Sequence, residues 1–478
     1  MNFDVKKMNR TDIAKVLLLR CKRNIIKGGQ FFMNKLLMKA ISLSVAMVFV
    51  LSLAACGTSN PSSTATTVSE TSEATVTATV TPKPVTLTLW HQWAAPNDGN
   101  TKSFRAVLDA WNQKNPSSNI EDDGIDGESY KTKIKTAIAA NEAPDIFYSW
   151  GAGFSKPFIA ANAVLPLDEY LKDGTSDKLL GGALANVTYN GKVYGLPTSL
   201  SVASLYCNKE LFDKNGIKIP TTFDELIDAA KAFSAKGIIP IDVGEKDLWP
   251  GMYWYDILAL RTAGAQGCQD ALNKTASFDA QPFKDAAAKL QDLVNAKAFN
   301  DSLFSNGYNE MIADFTLGKA AMCYQGNWLG GSCEDDKSLV KGKVVVVPFP
   351  TLNDDKGSAD EFFGGAIDAL WVSAKTENKD QAVAAVKFLT ENMSNKLYEA
   401  GAGLPCWKVT GVDESKISPL TKQTVDMIKN SKGYVMWWDI FLEGKDADTH
   451  KNLVAQLFAG KITPDAYAKE MQKLNVKQ

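Results

Sequence analysis

From Val85 to the end of the chain, amphipathic helical stretches alternate with short apolar strands, and that rhythm admits few folds. Val85-Thr86-Leu87-Thr88-Leu89-Trp90 alternates β-branched and apolar residues and predicts a first strand. Residues 104–115 carry apolar side chains at helical spacing and stop before Pro116. Residues 130–141 read as a second helix, and Pro144-Asp145 opens a short apolar strand at Ile146-Phe147-Tyr148. The alternation continues with helices over 222–235, 282–298 and 379–391 and strands over 237–243 and 344–347. Helices that separate strands cover both faces of a sheet, so an α/β body with largely parallel sheets is expected. The stretch is about twice a typical domain length, which predicts two lobes.

The chain before this body is of a different kind. Residues 40–55 form an uncharged apolar run that follows the basic start Met33-Asn34-Lys35-Leu36-Leu37-Met38-Lys39 and ends in Leu53-Ala54-Ala55-Cys56. Basic start, apolar middle and small residues before a cut are the parts of a secretory signal. The cysteine after the cut resembles the lipobox of bacterial lipoproteins, which implies a signal over 33–55, lipidation of Cys56 and an extracellular body. The run is too short for a comfortable membrane span of about 20 residues. Residues 1–32 precede a complete signal and look unlike it. Lys27-Gly28-Gly29 reads as a ribosome-binding site translated into codons, with Met33 the expected start. Residues 56–84 hold the anchor cysteine and a Ser/Thr-rich linker too poor in large apolar side chains to bury a core.

Charge narrows the partners. Residues 1–55 hold 10 of the 52 basic and 2 of the 54 acidic side chains, leaving 42 against 52. An acidic body with no basic block argues against nucleic acid and against an anionic surface as ligand. Membrane attachment therefore falls to lipid. Beyond Cys21 and Cys56, the cysteines at 207, 268, 323, 333 and 406 are irregularly spaced and make no disulfide framework, although a Cys323–Cys333 bridge stays open beside free buried thiols. His91 and His450 are the only histidines, and no metal motif or cofactor fingerprint occurs.

The strings Leu87-Thr88-Leu89-Trp90-His91, Ala143-Pro144-Asp145-Ile146, Leu165-Pro166-Leu167-Asp168 and Gly191-Lys192-Val193-Tyr194-Gly195-Leu196-Pro197 occur in that order. They are followed by Asn208-Lys209-Glu210-Leu211-Phe212, Pro220-Thr221-Thr222-Phe223-Asp224-Glu225-Leu226, Phe315-Thr316-Leu317-Gly318-Lys319-Ala320-Ala321-Met322, Gly326-Asn327-Trp328 and Gly364-Gly365. From Val85 onward the chain thus resembles the family 1 extracellular solute-binding proteins, the maltose-binding-like carbohydrate receptors of ABC importers. The resemblance implies a two-lobed, type II periplasmic-binding-protein-like fold with ligand in the interlobe cleft. Lobe 1 would comprise 85–200 plus 366–403 and lobe 2 would comprise 201–365 plus 404–478. Three crossings would fall near 199–202, 364–366 and 401–405. Where the family has Tyr-Asn-Lys this chain has Cys207-Asn208-Lys209, so no ligand role passes to Cys207.

A pyranose has apolar faces and a hydroxyl rim, and it needs flat aromatic platforms and planar polar groups. Tryptophans beside polar partners at strand ends and loops meet that need. The expected ligand-binding set is Trp90, His91, Gln92, Trp93, Asp145, Trp150, Trp254, Asn327, Trp328, Asp368, Trp407, Trp438 and Asp439. Asp145 could equally order its own turn. Trp111, Trp249 and Trp371 read as packing. The aromatic content predicts an oligosaccharide, cello- or xylo- in the first instance, and the lack of an Arg/Lys cluster along the expected cleft predicts a neutral one. The resemblance implies a monomer that closes on it and delivers it to permease subunits. Two alternatives remain at this point: a sugar sensor for a membrane kinase, and a glycoside hydrolase, which would need two carboxylates about 5–9 Å apart.

Overall fold

The computed structural model describes residues 84–96, 98–352 and 357–475; the signal, Cys56 and nearly all of the linker lie outside them. Two sheets organise the body. The first has five strands, in spatial order Ser118–Gly124, Val85–His91, Ile146–Trp150, Asp368–Val372 and Gly195–Pro197. The second runs Gly433–Val435, Glu361–Gly365, Ser201–Asn208, Ala320–Gly326 and Ile239–Ile241, with Val344–Val347 also paired to Ser201–Asn208. Each sheet draws on early and late parts of the chain, so neither lobe is a continuous segment.

The strands follow the pattern in the sequence. Val85–His91 turns Leu87, Leu89 and His91 inward and leaves Thr86 and Thr88 exposed. Ile146–Trp150 and Ser201–Asn208 are buried along their whole length, as interior strands are. The helix Phe223–Ser234 starts at a capping box in which Thr222 and Glu225 satisfy each other's backbone N–H groups.

The sheets are mixed rather than largely parallel. Val85–His91 pairs in parallel with both neighbours, but Asp368–Val372 is antiparallel to Ile146–Trp150 and Gly195–Pro197. Ser201–Asn208 is likewise antiparallel to every strand it touches. These two strands begin just after the chain crosses between lobes, and a strand entering from the other side runs against those built from local βα units.

The crossings lie between Gly195–Pro197 and Ser201–Asn208 and between Glu361–Gly365 and Asp368–Val372, and Leu200 and Leu404 bridge beside the first. Gly365 has φ of 151° and Gly401 has φ of 70°, conformations open to glycine at little cost. The third passage falls later than 401–405. Leu180 N donates to Cys406 O at 2.9 Å and Lys408 N donates to Lys178 O at 2.7 Å, so residues 406–408 belong with the first lobe, not the second. The chain joins the second lobe at the helix Pro419–Ile428, where Gln423 accepts from Val346 N at 2.9 Å.

All five described cysteines are free and buried, so Cys323 and Cys333 form no bridge. Burial pushes every one of these thiols upward in pKa. Among the described residues no helix is long and apolar enough to cross a membrane.

Candidate functional site

A cavity of about 690 Å³ lies between the lobes, within the range of small-molecule sites. Of the expected residues, Gln92, Trp93, Trp150, Trp328, Asp368 and Asp439 line it. They come from both sheets: Trp150 ends a strand of the first, and Trp328 follows the strand Ala320–Gly326 of the second.

The floor is a hydrogen-bonded chain of side chains. Gln92 Nε2 donates to the Tyr148 hydroxyl at 2.8 Å. Tyr148 donates to Asp368 Oδ1, and Ser201 Oγ donates to Asp368 Oδ2 at 3.1 Å. Burial raises the Asp368 carboxyl above the usual aspartate range, against the pull of these two donors. One wall carries Asp439, only 7% exposed, whose Oδ1 has no hydrogen-bond partner. Its Oδ2 lies 3.7 Å from Lys131 Nζ, which bonds Glu128 at 2.8 Å and stands 5.1 Å from the Trp150 ring centroid. Burial works against the Lys131 charge, but Asp439 and Glu128 outweigh it and hold the ammonium ion in place.

Asp439 is set by a buried network behind it. Asp256 accepts from Trp438 N at 3.3 Å and from His450 Nε2 at 2.8 Å, and the Tyr467 hydroxyl lies 3.0 Å from His450 Nδ1. These residues tie the helices Trp249–Leu272, Lys445–Phe458 and Pro464–Leu474 to the cavity wall.

The remaining expected residues are placed elsewhere. His91 is fully buried, accepts from Trp93 N at Nδ1 (3.0 Å) and donates from Nε2 to Asp122 (2.9 Å). Burial lowers its pKa despite Asp122, so a neutral ring orients the Gln92–Trp93 turn from behind. Trp90 meets Lys133 Nζ at 3.8 Å from its ring centroid, outside the cavity. Asp145 accepts from Thr88 N, Thr88 Oγ1 and Thr376 Oγ1 at 2.9, 2.8 and 2.5 Å, the local ordering that was its other reading. Asn327 clamps the first crossing, accepting from Val202 N at 3.1 Å and donating to Leu200 O at 3.2 Å.

Three tryptophans are core. Trp254 sits among Phe299, Tyr324 and Phe349. Trp438 packs on Tyr255, Phe278 and His450. Trp407 donates from Nε1 to Pro197 O at 2.8 Å. These three side chains are covered on every side, and nothing in a local sequence string distinguishes covered from cleft-facing.

Trp249 reverses its expected role. It is half-buried, begins the helix Trp249–Leu272 and lines the cavity with Tyr253 and Tyr308. Its place at a helix start, after a strand and a Gly-containing turn, was the available signal. Trp111 and Trp371 are core as expected.

Two α/β lobes joined by crossing segments around an aromatic, carboxylate-bearing cleft define a solute-binding protein. The family model for bacterial extracellular solute-binding proteins matches residues 95–396, and the chain belongs to that family. Family membership makes it a binding protein, not an enzyme. The chain is similar to a protein solved in work on xylan utilization by the thermophilic bacterium Caldanaerobius polysaccharolyticus. That identity is 50%, over 81% of this chain and 99% of that one, with a TM-score of 0.79. A chitin oligosaccharide binding protein is 27% identical over 82% of this chain and 98% of its own, with a TM-score of 0.74. The multiple sugar-binding protein of Streptococcus mutans is 23% identical over 340 residues, 67% of this chain and 76% of that relative.

Proposed function

We propose that this protein is the extracellular, lipid-anchored capture subunit of an ABC importer and that its ligand is a neutral xylo-oligosaccharide. The observation that carries the reading is the cavity itself: Trp150 from one lobe and Trp249 and Trp328 from the other line the same cavity, together with the carboxylates Asp368 and Asp439, whose Oδ1 has no partner. Rings for sugar faces and buried acceptors for hydroxyls are what an uncharged glycan requires. A buried acceptor without a donor costs about 1–3 kcal/mol, which a ligand hydroxyl would offset. The likeness to the protein from the xylan study favours xylo- over cello-oligosaccharides.

Ligand contacts from both lobes stabilise the arrangement in which the lobes are near, since only differential contact can shift such an equilibrium. The closed pair of lobes is then the surface offered to the permease. Cys56 would hold the protein at the membrane through its lipid, and the following linker would supply reach. Calorimetric titration with neutral xylo-oligosaccharides, together with scattering of the free and saturated protein, tests the reading. Saturable binding with a smaller radius is expected, and failure of every neutral glycan to bind refutes it. Labelling of cells with a fatty-acid analogue tests the anchor separately. Label should follow the protein and vanish in Cys56→Ala.

A further inference from the structure

Trp249 and Trp328 stand side by side on the second lobe, ring centroids 6.5 Å apart and planes inclined by 60°. Both are half-buried and line the cavity. The inclination is fixed from behind. Trp328 lies over Gly326, where a Cβ would come within 2.1 Å of the ring, and Trp437 packs on it at 5.8 Å. Trp249 meets Tyr253 edge-on at 5.2 Å and Tyr308 at 5.0 Å. Neither ring can turn to lie parallel to the other without displacing these neighbours.

Two adjacent platforms stack well on one chain only if its successive ring faces share their inclination. A flat β-1,4 glucan turns by half a turn per unit, so its successive faces lie in nearly parallel planes. A β-1,4 xylan has no hydroxymethyl group and lacks the inter-unit hydrogen bond which that group makes. It relaxes toward a third of a turn per unit, which inclines successive faces by the angle seen between the two tryptophans. We propose that the Trp249–Trp328 pair is the specificity determinant of this receptor and that it reads the twist of the glycan backbone, admitting the twisted pentose chain and disfavouring the flat hexose chain. The inference rests on the sugar-binding reading above and adds the residues that would set its selectivity.

The test is calorimetry of the purified protein with xylotetraose and cellotetraose. The wild type should prefer xylotetraose by about tenfold, roughly 1.4 kcal/mol. Trp249→Ala should weaken xylotetraose more than cellotetraose and bring the two within about twofold, since one stacked ring contributes on the order of a few- to tenfold. Gly326→Ala is the sharper variant. It keeps both indoles and tips Trp328, and its backbone φ is not one that demands glycine. Its preference for xylotetraose should fall while a stacking contribution remains. Trp249→Ala, which removes one of the two inclined platforms, decides the comparison if Gly326→Ala does not fold. A preference unchanged in these variants, or a wild type that binds both sugars equally, overturns the proposal. A wild type that binds neither refutes the sugar-binding reading itself, and this inference falls with it.

Discussion

Asp439 offers the most direct measurement of how the cleft works. In Asp439→Asn the shape is kept, but the charged acceptor becomes a neutral amide. Two interactions change. The attraction to Lys131 at 3.7 Å is beyond direct hydrogen-bond range, but it helps offset the burial of that ammonium, which keeps Glu128 at 2.8 Å, so the free protein loses one of the two counter-charges of Lys131. The buried Oδ1 atom has no protein partner, so a ligand hydroxyl that reaches it would make a hydrogen bond the free protein lacks. A hydrogen bond to a charged group contributes about 1.5–3 kcal/mol, which converts to a loss of affinity of about 10- to 150-fold. Calorimetry should show that loss, and thermal unfolding of the free protein should fall by only a few degrees, because Lys131 keeps Glu128 as a counter-charge. Asp439→Asn binding like wild type would refute the ligand role. A large fall in the stability of the free protein would show that Asp439 is structural instead.

Four other outcomes follow from the same geometry. Asp242 is buried at the end of Ile239–Ile241 with neither carboxylate oxygen partnered, and burial, followed by Asp314, raises its pKa from 3.8 to about 7. A proton held more tightly in the folded state stabilises fully below pH 3.8, and that contribution is lost as pH rises through 7. Asp242→Asn should therefore melt higher than wild type at pH 8, by up to a few kcal/mol equivalent, and nearly level with it at pH 4, as followed by differential scanning fluorimetry. Trp407→Ala should cost about 3–5 kcal/mol in denaturant unfolding because it empties a covered site, whereas Trp328→Ala should cost more in ligand affinity than in stability. Asn327→Ala, which unclamps two backbone groups of the first crossing, should lower stability by about 1–3 kcal/mol and leave direct sugar contacts in place. The five buried thiols should ignore an aqueous thiol reagent in the native protein and react fully once it is unfolded.

The architecture was legible because it is written in periodicity and in strings that run in family order. Val344–Val347 was read to the residue, and Lys379–Glu399 was found but cut short by eight residues, since its last two turns carry polar side chains over a thinner apolar stripe. The direction of the strands was not legible. Parallel order was inferred from alternation, but Ser201–Asn208 and Asp368–Val372 enter from the other lobe, and that fact resides in topology. The cavity was half legible for a related reason. Gln92 and Trp150 sit where a strand ends at the cleft, and Asp439 lies in the first turn of the short helix Trp438–Phe441. Trp254 lies only five residues beyond Trp249 on the same helix, yet points into the core while Trp249 reaches the cavity. Which face of a buried helix meets a cleft depends on the partner lobe, and no local string carries that information.

The interleaving of the two sheets also governs how this chain can be made or cut. The first sheet waits for Asp368–Val372 and the second for Gly433–Val435, so both remain incomplete until most of the chain exists. Pairings that span such distances close slowly. A ribosome that stalls before residue 368, or a protease that clips there, leaves two unfinished edges and no surviving half. Fragments divided at the lobe boundary should be unfolded in isolation and recover structure only when mixed. A chain with this arrangement stays unfolded through most of its synthesis, which is the state an export channel for unfolded polypeptides accepts.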